Sequence, residues 1–144
     1  MLARVPARAL DPGARELQRL RAAWQAAPRD ADAAVALVRR YVEAAAADGD
    51  PRYIGYAQAV LAPWWNEAAP PAELRVQRAV LRQYGHGFDA ALADLQAVVQ
   101  EQPQHAEAWA WLAAIHMVRA DYAAAAQACG RLAPLTSPLL AAAC

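Results

Sequence analysis

Lysine is missing altogether: all fourteen basic residues of this 144-residue chain are arginine, and fourteen acidic residues cancel them. A net charge of zero gives no whole-molecule field to recruit nucleic acid or an anionic membrane. Aliphatic hydroxyls are almost as scarce. The one serine, Ser137, and the one threonine, Thr136, both lie beside Pro138, where a helix N-cap explains them and no nucleophile–base pair can be assembled. The three histidines, His86, His105 and His116, fall in no metal-ligand spacing, and the carboxylates are scattered, so neither a metal centre nor paired-carboxylate catalysis has an anchor. Neither a cofactor nor enzymatic activity is expected. No stretch approaches the roughly 20 apolar residues of a membrane span, and residues 1–10 carry Arg4 and Arg8 without the apolar core of a leader. The expected chain is soluble, resident in the cytoplasm, or exported with a leader removed ahead of Met1.

What is abundant is alanine and other apolar residues, 58% in all, enough for one continuous core over residues 1–144 with 1–12 irregular. Together with arginine as sole base, the alanine points to a GC-rich, bacterial source. Glycine and proline collect between apolar segments, at Pro12-Gly13, Pro28, Gly49 to Pro51, Pro70-Pro71, Gly85 to Gly87, Pro103 and Pro134 to Pro138. Inside the blocks the apolar residues recur at three and four, as in Ala91, Leu92, Leu95, Val98 and Val99. This predicts an all-α chain with helices near 13–26, 30–47, 51–64, 71–84, 87–101, 105–119, 121–132 and 137–143.

The blocks also repeat. Ile54-Ala57-Leu61, Phe88-Ala91-Leu95 and Tyr122-Ala125-Cys129 share one spacing, and their alanines are 34 residues apart; Ala72-Glu73 and Ala106-Glu107 are 34 apart as well. At these residues the chain resembles the tetratricopeptide repeat family, whose unit is a helix–turn–helix of about 34 residues. Ala106 to Pro134 is the best copy, with Trp109, Leu112, Ala113, Tyr122, Ala125 and Pro134 in place. In Ala72 to Pro103, Arg75 and Arg78 stand where an aromatic and a leucine are usual. Ala31 to Trp65 carries about seven extra residues around Asp48 to Pro51, which a longer first helix would absorb. The resemblance implies a right-handed α-solenoid of antiparallel helix pairs, about three repeats with a flanking helix at each end. Small residues at Ala57, Ala91, Ala113 and Ala125 would allow close helix approach, while Leu61, Leu95, Leu112 and Tyr122 fill the space between.

By the same resemblance the function is a non-catalytic protein-interaction scaffold binding a peptide or helix on the concave face of the first helices. The positions implied are Asp32, Val35, Arg39, Val42, Glu73, Val76, Val80, Gln83, Glu107, Ala110, Ala114 and Met117. Their apolar bias favours an apolar segment over a charged tail. A second reading is a self-associating homodimer, since a solenoid needs polar ends and the chain finishes on Leu139-Leu140-Ala141-Ala142-Ala143-Cys144. Trp64, Trp65 and Trp111 are candidate aromatic anchors for a partner, or else packing residues. His86 lies in a turn where Gly85 and Gly87 would supply the unusual backbone angles.

Cys129 and Cys144 flank the turn around Pro134 to Pro138 at about equal distances, so an antiparallel helical hairpin would put them at one height. That geometry permits a disulfide. Two buried thiols acting as small apolar groups is the other state open to them.

Overall fold

The computed structural model describes residues 11–144, so the expected irregular segment at the N-terminus lies outside the described residues except for Asp11 and Pro12. Every regular element among these residues is helical. Where the composition points to one continuous core, the contacts divide the chain into two compact units between Pro63 and Trp64.

The first unit holds α1 (Pro12–Ala26), α2 (Ala31–Asp48) and α3 (Arg52–Leu61), with α2 packed on both neighbours. Asp30 starts α2 by accepting the Ala33 N–H at 2.7 Å, satisfying one of the amides that a helix start leaves open. Gly49 ends it at φ 64°, the left-handed conformation glycine takes without a Cβ clash. The helix between runs 18 residues against 13 in each of α4 and α6, which accommodates most of the extra residues seen in the sequence. Ala34, Leu37, Val38, Tyr41, Ala57, Val60 and Leu61 are buried. Tyr41 packs against the rings of Tyr53 and Tyr56, and its hydroxyl accepts from Arg21 Nε at 2.7 Å.

The second unit carries two helix pairs in the same register: α4 (Ala72–Tyr84) with α5 (Phe88–Glu101), and α6 (Ala106–Val118) with α7 (Tyr122–Leu132). A 3-10 turn, Ala133–Leu135, leads to α8 (Pro138–Ala143). Each of the four paired helices starts 34 residues from its counterpart. The turns correspond too: the Gly87 N–H reaches the Arg82 carbonyl at 2.8 Å, and the Asp121 N–H reaches the His116 carbonyl at 2.9 Å. Between them His86 and Ala120 take φ 60° and 58°. The unusual angle therefore falls on His86 and on neither glycine, since Gly85 and Gly87 have φ −87° and −79°. Gly87 matters for space instead: a Cβ there would lie 3.3 Å from the Arg82 carbonyl oxygen.

The core of this unit joins Val76 and Ala79 of α4, Ala91, Leu92, Leu95, Val98 and Val99 of α5, Ala108, Leu112, Ala113 and Ile115 of α6, and Ala128 of α7. Ala91 and Ala113 are both buried in this core, where small side chains fit between packed helices. Tyr122 departs from expectation. It is 65% exposed, at the first position of α7, while its counterpart Phe88 packs partly against the core.

Arg75 and Arg78, which break the family pattern, are buried and bonded. The Arg78 guanidinium meets both carboxylate oxygens of Asp94 on α5, at 2.9 and 2.7 Å, and its Nη1 donates to the carbonyls of Trp64, Trp65 and Glu67. Arg82 adds a second donor to Asp94 at 2.7 Å and lies over the Trp65 ring, 5.5 Å from its centroid. Arg75 binds Glu101 and the Pro70 carbonyl, each at 3.1 Å. These arginines donate to carbonyls of the segment that enters α4, which the regular hydrogen bonds of α4 do not reach.

Candidate functional site: an apolar groove on the last helix pair

Helix α6 is apolar on nearly every side, so packing against α5 and α7 leaves one apolar stripe unused. Ala110, Ala114 and Met117 follow one another at four and three residues along that stripe, and all are exposed; Met117 shows 51% of its surface. They form the floor of a groove of about 470 Å³, together with Glu107 at its charged end. Cys129 and Leu132 of α7 line a second side, and Leu140, Ala143 and Cys144 at the end of the chain line the third. The sulfurs of Cys129 and Cys144 are bonded, with Cα atoms 5.6 Å apart.

The start of α6 is held by His105. Its Nδ1 accepts from the Ala108 N–H at 3.2 Å while Nε2 meets a Glu73 carboxylate oxygen at 2.7 Å, tying the start of α6 to α4. Because Nδ1 accepts, Nε2 must carry the ring proton toward Glu73. Gln77 Nε2 also donates to Glu107, at 3.4 Å.

Residues 87–138, which span α5, α6, α7 and the following turn, match the family model described as Tetratricopeptide repeat. Over that stretch the chain is similar to the tetratricopeptide repeat family. No curated protein and no solved structure matches it. The matched stretch includes the whole floor of the groove and its α7 side.

Of the twelve positions implied by the repeat register, Glu107, Ala110, Ala114 and Met117 come together in this groove. Val76 and Val80 cannot serve a ligand: both are buried, because α4 is covered on all sides from Leu74 to Leu81. Glu73 is exposed but bound to His105, and Gln83 is half-buried on the last turn of α4. Asp32, Val35, Arg39 and Val42 lie on α2 in the first unit; Asp32 is exposed and the other three are half-buried.

The tryptophan anchors fare differently from one another. Trp64 is buried, with its carbonyl on Arg78, which removes it from any partner surface. Trp65 is half-buried beneath Arg82, and Trp111 is half-buried against the core of the repeats. The sequence pointed to none of the α7 and α8 residues of the groove as ligand contacts. The one sequence signal near them is the apolar pair Leu139-Leu140, which is exposed.

No group of three metal-capable side chains comes together among the described residues, and none of their helices is long and apolar enough to cross a membrane.

Proposed function

We propose that this protein is a non-catalytic interaction module, and that the groove on α6, α7 and α8 receives an apolar helix or extended segment of a partner protein. The observation that carries this reading is the unpaired stripe Ala110, Ala114, Met117, exposed on a helix whose other sides are packed. Small side chains at Ala110 and Ala114 let a partner backbone approach closely, and the flexible thioether of Met117 adapts to its shape. The family likeness supports the same reading, since tetratricopeptide repeats generally mediate protein–protein contacts. In this reading the pairs of the second unit wind with the family's right-handed sense, no cofactor takes part, and the balanced charge makes nucleic acid a poor ligand.

The test compares capture by the wild-type chain with capture by Ala110→Arg and Ala114→Arg, each of which places a charge in the groove without touching the core. A partner held by wild type and lost by both variants is the expected result. A partner retained equally by all three would place binding elsewhere.

A homodimer through the same end is the second reading, favoured by Leu139 and Leu140, which are 81% and 60% exposed. Light scattering across a dilution series, on wild type and Leu139→Glu, separates the two. A dimer that persists in wild type and dissociates in the variant favours self-association.

A further inference from the structure

We propose that the Cys129–Cys144 bridge is a redox latch that holds α8 in place as one wall of the groove, so that reduction dismantles the site; this rests on the groove being the binding site. Three observations converge. First, α8 is only six residues long and buries none of them. Helices shorter than about 12 residues do not hold in water without packing, and the substantial packing of α8 is with the adjoining 3-10 turn alone. Second, the local features that start it are weak: Ser137 Oγ accepts from the Leu140 N–H at 3.4 Å, and Pro138 presets the first turn. Third, both cysteines line the groove, so the covalent link between α7 and the end of α8 spans the site itself.

The bridge is also reachable. Cys144 is exposed while Cys129 is half-buried and packs against the core of the repeats, which makes Cys144 the sulfur open to attack. A thiolate of a dithiol reductant attacks Cys144 Sγ, the Sγ–Sγ bond breaks, and the electron pair leaves on Cys129 Sγ, which takes a proton. The second thiolate of the reductant resolves the mixed disulfide and becomes oxidised with the first, and Cys144 leaves as a protonated thiol. Two electrons and two protons pass to the protein. With the bridge of 15-residue separation open, the segment from Ala133 to Cys144 regains its freedom. Leu140 and Ala143 then leave the groove, while the core, to which α8 contributes nothing, keeps its packing.

Amide hydrogen exchange on the full chain, oxidised and after treatment with a phosphine reductant, reads the latch without any ligand. The reporter is Ala141, whose N–H is bonded to the Ser137 carbonyl at 2.9 Å. Exchange at Ala141 to Ala143 should rise about a hundredfold on reduction, with α4 to α7 unchanged. Cys144→Ser should show the fast rates with or without reductant. Unchanged protection of α8 after reduction overturns the proposal, as does intact mass showing two free thiols in protein made in an oxidising compartment. Loss of core protection along with α8 overturns it too, because the bridge would then be a general staple. If α8 is released but captured partners are indifferent to Ala110→Arg, the latch stands and the assignment of the groove falls.

Discussion

Arg78 on α4 and Asp94 on α5 form a two-pronged ion pair with both side chains buried, and the same guanidinium carries the backbone of residues 64 to 67. One arginine thus ties a helix pair together and fixes the chain that leads into it.

Arg78→Leu installs the residue usual at this position in the family the chain resembles, yet it should destabilise the chain. It removes the two-pronged partner of the buried Asp94 and a donor to three carbonyls, and breaking a buried pair by removing one partner costs about 3–5 kcal/mol. Arg82 remains beside Asp94 and should hold the loss toward the lower figure. Urea unfolding checks this. A midpoint equal to or above that of wild type would mean the network carries no net stability.

Ala91→Leu should lower stability by about 1–3 kcal/mol through overpacking, whereas Ala90→Leu should leave it nearly unchanged. Ala91 is fully buried in the core and Ala90 is exposed one position along. Thermal melts of the two variants decide it, and coincident melts would contradict the packing register of α5.

Ala120→Gly should raise stability by about 1 kcal/mol, the strain a Cβ causes in the left-handed region. The gain is offset in part by the greater freedom of glycine in the unfolded chain. His86→Gly should act in the same direction at the equivalent turn. A drop in melting temperature for both would show that the turns do not hold these angles in solution.

His105→Ala should cost about 1 kcal/mol by opening the N-cap of α6, and His105→Asn should recover most of it, because a side-chain oxygen can accept from the Ala108 N–H. Equal loss in both variants would shift the weight to the link with Glu73.

Much of this fold was legible in the sequence because its determinants are local. Glycine and proline punctuation together with three-and-four spacing placed each of the eight helices within three residues of its observed ends. The 34-residue phase located the two pairs of the second unit because their helices and turns recur in one register. What escaped depends on contacts distant in sequence. Arg75 and Arg78 read as flaws in a pattern, since nothing near them reveals that Asp94, Glu101 and the carbonyls of the entering segment will surround them. Val76 and Val80 were expected on an open face because the register alone does not tell how fully α4 is covered. At the site, Ala110, Ala114 and Met117 are positions that the resemblance implies, but the residues of α7 and α8 that line the groove with them are distant in sequence and outside that register.

The coincidence of the two turns, from the paired amide bonds at Gly87 and Asp121 to the matched angles at His86 and Ala120, gives the second unit a modular joint. A gene segment encoding residues 86–119, cut from turn to turn, could be copied in tandem, and the seam would meet the same backbone on both sides. Lineages carrying this chain could then lengthen it by unequal crossing-over, one helix pair at a time, and an engineer could do the same with a restriction site.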